Sequence, residues 1–169
     1  GIPLEHVSSA KYLGVTFTSD LRWNTHISNI TNKANRTLGF IRRNLQIKND
    51  KLKTTAYNTL VRPQLEYASS IWDPHTISNI TKIEKVQRTA ARYVTNRWRK
   101  RSSVGDMLQQ LRWHSLAERR EQQRLFLMYK IHHGLVAVNS SHQYAKPVTR
   151  ATRSLHSEAY QLPYSANTF

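Results

Sequence analysis

The chain contains no cysteine, which excludes disulfides and thiolate metal sites and fits a cytosolic or nuclear setting. Its five glycines are all isolated, so no phosphate-cradling loop is present, and no GxSxG elbow presents a nucleophilic serine. No apolar run approaches the roughly 18 residues that a spanning helix needs, so no membrane partner is expected. The N-terminus, Gly1-Ile2-Pro3-Leu4-Glu5, shows neither the basic region nor the apolar core of a signal peptide. It also lacks an initiating methionine, so the chain is expected to be a fragment or a processed piece. Negative charge is scarce: ten Asp and Glu stand against 26 Lys and Arg, for a net charge of +16.

That imbalance says what the partner must be. A sequence pI near 10.6 points to a polyanion, with nucleic acid first. The same charge opposes compaction by self-repulsion, which bound phosphate would relieve. A length of 169 residues suits one ordinary domain with a tail.

Residues 10–18, AKYLGVTFT, combine β-branched and aromatic residues around Gly14 and read as a short strand or hairpin arm. A lone strand needs a sheet partner, and residues 1–9 are too irregular to supply much of one. Helical spacing then runs from Trp23 to about Leu45, with Ile27, Ile30, Ala34, Leu38, Ile41 and Leu45 on one stripe and Lys33, Arg36, Arg42 and Arg43 off it. Gly39 weakens this helix by roughly 1 kcal/mol relative to alanine and leaves room for close packing or a bend. A second helix, with Asp50 as N-cap, carries Leu52, Ala56, Leu60 and Val61 on one side until Pro63 imposes a kink or break near Arg62. Trp72-Asp73-Pro74 is then a tight turn with Trp72 packed underneath it.

The third helix is expected from Thr76 or Ser78 to about Trp98, through Ile80, Ile83, Val86, Ala90, Ala91 and Val94. Its polar side is Lys82, Lys85, Arg88 and Arg92, followed by Arg97, Arg99, Lys100 and Arg101. Residues 82–101 thus hold eight basic groups against one acid, Glu84. A solvated face or a nuclear-localisation patch would also explain such a run. A short helix follows, with Ser103 and Asp106 as cap pair and Met107, Leu108 and Leu111 inward. A longer one opens on the capping-box pair Ser115 and Glu118 and shows an apolar, core-type face of Leu116, Phe126, Leu127, Met128, Tyr129 and Ile131 up to Gly134. From Asn139 onward the chain reads as extended or disordered.

In order and spacing, KYLGV, KANRTLGFIRRNL, YNTLVRPQLEY, WDPHT, KIEKVQRTAARYVTN and SSVGDMLQQLRWHSLAERR resemble the segment that follows the polymerase palm in reverse transcriptases of non-long-terminal-repeat (LINE-type) retrotransposons. TRSLHSEAYQLP in the tail resembles the stretch after the family's last helix. The resemblance implies a primer-grip-like palm-edge remnant over 1–20, whose Lys11 to Val15 would be the stub of a sheet with its other strands upstream. It implies further a helical thumb over 21–101 and a helical connector over 102–138, with residues 139–169 as tail. The fold class is therefore mainly α, a thumb-like helical bundle with a short N-terminal strand or hairpin. The implied partners are an RNA–DNA hybrid or duplex, bound without sequence preference, and the upstream palm of the same parent.

Chemistry is not expected to reside here. Polymerases of this class use paired aspartates to hold two metal ions. The ten acids of this chain, Glu5, Asp20, Asp50, Glu66, Asp73, Glu84, Asp106, Glu118, Glu121 and Glu158, include no adjacent pair. Histidines 6, 26, 75, 114, 132, 133, 142 and 156 fall in no metal-ligand spacing, so neither metal nor cofactor is expected. The candidate nucleic-acid contacts are Lys11, Lys33, Arg36, Arg42, Arg43, Lys82, Lys85, Arg88, Arg92, Arg97, Arg99, Lys100 and Arg101, with Arg99 and Lys100 foremost. Tyr93 and Trp98 either stack on bases or sugars, or close the end of the core. Two competing readings stay open: a helical protein-interaction module docking through the Tyr67 to Trp72 corner, and a non-functional product of a degenerate retroelement.

Overall fold

The computed structural model of the protein describes residues 7–45, 47–99 and 102–137. The tail expected to be irregular lies outside them, as do Lys100, Arg101 and the tail motif. Within them the protein is mainly helical and opens on a short antiparallel hairpin.

Strands β1 (Ser9–Tyr12) and β2 (Val15–Thr18) pair from Ser9 opposite Thr18 to Tyr12 opposite Val15. The two loop residues, Leu13 and Gly14, have φ of 45° and 86°, the left-handed pair that lets a two-residue loop follow the strand twist. The sequence places Gly14 inside one strand that needs an upstream partner. In the structure Gly14 is the turn, and the strand pairs with its own continuation. A Cβ at Gly14 would stand 3.3 Å from the Tyr67 ring, so the close approach also needs glycine.

Helix α1 (Asn24–Asn44) buries Ile27, Ala34, Leu38 and Ile41 as the periodicity requires, while Leu45 stays outside the helix and exposed. Helix α2 (Asp50–Ala56) is capped by Asn49, whose Oδ1 accepts from Lys51 N at 2.8 Å and from Leu52 N at 3.4 Å. The cap is thus one residue earlier than expected. Asp50 sits in the first turn, where its charge suits the helix dipole and meets Lys53 Nζ at 3.3 Å.

Pro63 does not break the chain's helical course. A π segment (Tyr57–Val61) expands the turn ahead of it, with Arg62 N bonding Tyr57 O, and helix α3 (Arg62–Glu66) continues. Five-residue hydrogen bonding relieves the steric conflict that proline creates with a carbonyl one turn back. The break falls later, at Ala68 with φ 53°, ahead of the single turn α4 (Ser69–Trp72). The inward stripe matches the expected one only in Val61 and the half-buried Ala56. Lys53, Tyr57, Val61 and Leu65 are buried, at steps of four, whereas Leu52 and Leu60 are 59% and 49% exposed. The larger Tyr57 ring takes the interior, and residues one position away rotate about 100° out.

Helix α5 (Ile77–Thr95) ends at Asn96 with φ 53°, a left-handed position that asparagine tolerates. Ile83, Val86, Ala90, Ala91 and Val94 bury against α1 and α2. Trp72 lies at the bottom of this core, fully buried, and donates Nε1–H to Tyr67 O at 2.8 Å. Helix α6 (Val104–Leu111) is capped by Ser103 Oγ, and α7 (Leu116–His132) opens on the expected reciprocal bonds between Ser115 and Glu118.

The start of α7 packs as part of the helical core. Glu84 accepts from Ala117 N at 2.9 Å, Gln87 donates to His114 O at 2.8 Å, and the Tyr57 and Trp113 rings stack at 4.4 Å. One compact unit extends to Phe126 and a second begins at Leu127. Of the apolar face expected on α7, Leu116 is core, but the face from Phe126 onward is not buried. Only Leu116 and Arg120 are buried on this helix, while Leu125, Phe126 and Tyr129 are more than half exposed. The side that docks is polar, because Arg119, Arg120, Gln123 and Arg124 meet Glu66, Asp73 and Ser69.

Candidate nucleic-acid interface

Successive polar residues of α1 fall on one stripe because Asn29, Asn32, Lys33, Arg36, Gly39 and Arg43 recur at helical spacing. Beside the stripe, the hairpin contributes Lys11, Leu13 and Thr16, and α3 contributes Pro63, Gln64 and Tyr67 at its end. Together they enclose a groove of about 760 Å³. A shallower hollow of about 480 Å³ continues along α1 past Asn35 and Gly39 to Arg43, sharing Asn32 and Arg36 with the groove. The fold therefore gathers Lys33, Arg36 and Arg43 along about 15 Å of helix, with Lys11 of the hairpin beside them. Arg43 folds back over Gly39, where a Cβ would stand 3.1 Å from its guanidinium.

The walls of the groove are braced from behind. Tyr67 Oη donates to Leu13 O at 3.1 Å, and Thr16 N donates to His26 Nδ1 at 3.2 Å. His26 is buried between Trp23 and Trp72, with ring centroids at 6.4 and 5.1 Å. Burial holds its pKa below the ordinary value, so the imidazole stays neutral and Nδ1 can accept.

The second cationic stripe is on α5. Lys82, Lys85 and Arg88 are exposed and Arg92 is half-buried, at steps of three, three and four; Arg97 and Arg99 follow, both exposed. None of them lines the α1 groove. Arg42 belongs with this second set, because its guanidinium lies 4.6 Å from the centre of the Trp98 ring. Tyr93 and Trp98, left open by the sequence, divide. Tyr93 packs against the core with Lys53 Nζ 5.4 Å from its ring centre, and burial raises its pKa; Trp98 is 46% exposed.

Acidic groups are spent elsewhere. Glu66 holds Arg119 and, at 3.8 Å, Arg62; Asp73 holds Arg120 at 2.7 Å and Arg124; Asp20 holds Arg22 at 3.6 Å. The hydrogen bond that Arg119 donates to Glu66 raises the Arg119 pKa, and burial lowers that of Arg120. Among the described residues, none of the candidate contacts named from the sequence has a carboxylate partner. These cations are left for water or for a phosphate.

Sequence reasoning missed the uncharged lining of the groove, Asn29, Asn32, Gln64 and Tyr67, and Asn35 in the hollow beyond it. A signal was present, since asparagine recurs every third residue from 29 to 35 beside the basic positions. Among the described residues no cluster of three or more His, Asp or Glu could hold a metal ion, and no helix is long and apolar enough to cross a membrane. No family model, curated protein or solved structure matches the chain.

Proposed function

We propose that the chain is the template–primer-holding piece of a retrotransposon RNA-directed DNA polymerase, without catalytic activity of its own. One observation carries the reading: exposed cations on α1, α5 and the hairpin have no acidic partner among the described residues, while Glu66, Asp73 and Glu84 are drawn into the fold. The ordered resemblance of its motifs to the reverse transcriptase segment beyond the palm supports the same reading. Lys and Arg neutralise backbone phosphates and release counterions, which gives affinity without sequence preference and fixes the position of the duplex. Asn29 and Asn32 add uncharged donors in the same groove. β1 is exposed along its length and pairs only with β2 among the described residues, which suits a junction with an upstream palm sheet.

The test is binding to an RNA–DNA hybrid across salt concentrations. Four neutralised phosphates would give a log–log slope of about −3.6. A slope near zero defeats the proposal, and primer extension by the chain alone with magnesium defeats its non-catalytic part. A second reading, a protein-docking module, draws on the exposure of Tyr67 and Ile71 at the corner, 60% and 56%. It predicts association that survives moderate salt and no preference for the hybrid.

A further inference from the structure

We infer that Trp98 is a stacking platform for an unpaired base, so the chain binds single-stranded nucleic acid at the end of α5 in addition to duplex. The inference rests on the nucleic-acid reading and adds a contact that backbone electrostatics does not supply. Four tryptophans are present, and three of them serve the interior: Trp72 is buried, and Trp23 and Trp113 pack against the core. Trp98 instead stands beyond the helix end, 46% exposed, just after the left-handed turn at Asn96.

Its surroundings fit a nucleotide. The Arg42 guanidinium covers one face of the indole at 4.6 Å, which orients the ring and places a positive charge beneath it. Among the described residues no other ring or cation lies on Trp98. Arg97 and Arg99 flank it, both exposed and neither with a carboxylate partner among the described residues. An exposed indole with one guanidinium on its face and an exposed arginine on either side in the chain suits a ligand that is itself a π face on an anionic chain. In a duplex the bases stack on each other, so the complementary ligand is an unpaired base, at a strand end or in an overhang.

The experiment compares the full chain with W98A and W98F on a short oligothymidylate and on a blunt RNA–DNA hybrid, reading affinity and tryptophan emission. Wild type should show quenched emission on the single strand. W98A should bind the single strand about 5- to 100-fold more weakly, with hybrid affinity and its salt slope unchanged. W98F keeps a ring and should retain most of the single-strand affinity while losing the quench, which reads the contact even if W98A fails to fold. Equal single-strand affinity for wild type and W98A, a quench that persists in W98F, or parallel loss on both ligands in W98A would overturn the inference. Single-strand binding with a Trp98-dependent quench but no hybrid binding would instead defeat the duplex reading alone.

Discussion

Arginines 119, 120 and 124 on α7 and the lysines and arginines of α1 and α5 are the same chemical groups with opposite uses. On α7 they reach Glu66 and Asp73 and tie the helix to the core, with Arg120 only 1% exposed. On α1 and α5 they project from amphipathic helices whose other faces are buried, and none of them forms an ion pair with a carboxylate among the described residues. Each ion pair formed inside the fold withdraws one charge of either sign, so the net excess stays on the surface while its acidic share falls. Segregation of this kind turns a global excess of charge into a local one, and a local excess is what attracts a polyanion.

The contrast is broken most severely at Arg120. R120A would leave Asp73 with only the half-exposed Arg124 as partner, and because removing one member of a buried pair costs about 3–5 kcal/mol, the loss should fall near the lower end, about 3 kcal/mol. Urea unfolding should show this as a lower midpoint with an unchanged m-value, whereas a loss below about 1 kcal/mol would mean that α7 is held by packing alone. Arg124 sharpens the comparison, because its side chain is 50% exposed yet paired with Asp73. R124Q should cost no more than about 1 kcal/mol and leave the salt slope of hybrid binding intact. If that slope falls, pairing does not withdraw an arginine from the binding surface.

How much of this is written in the sequence depends on how far apart the partners are. Apolar periodicity and local caps place α1, the start of α5, α6 and the start of α7 within a residue or two, because those signals act over one turn; α5 ends at Thr95, three residues short of the expected Trp98, at the left-handed Asn96. The paired arginines are not legible, since Arg119 lies 53 residues from Glu66 and Arg120 lies 47 from Asp73. For the same reason the exposed apolar side of α7 reads as core. A π segment ahead of Pro63 has no spacing signature, so Leu52 and Leu60 look like interior residues and Tyr57 does not. The basic stripes were visible as off-stripe positions; the groove was not, because the hairpin and α3 that wall it come from distant parts of the chain.

A smaller effect tests the hairpin wall of the groove. Because burial depresses the His26 pKa, the unfolded chain binds more protons at this site than the folded one between the two values. The neutral ring's contribution is therefore complete above the unfolded value of about 6.5 and is lost as pH falls through the lower folded value. Protonation at Nδ1 also removes the acceptor for Thr16 N–H. Thermal melts of wild type should decline more steeply below pH 6.5 than those of H26Q; identical pH profiles would show that His26 does not hold the hairpin.

The division of labour between free and paired cations is tested most directly by one variant, Lys33→Gln with Arg36→Gln and Arg43→Gln, measured for hybrid affinity against salt beside wild type. Removing three phosphate contacts should make the log–log slope shallower by about 2.7. The melting behaviour should stay within about 0.5 kcal/mol per substitution, as expected for exposed side chains without partners. An unchanged slope, or a slope that falls only because the variant unfolds, would contradict the assignment of these groups to nucleic acid.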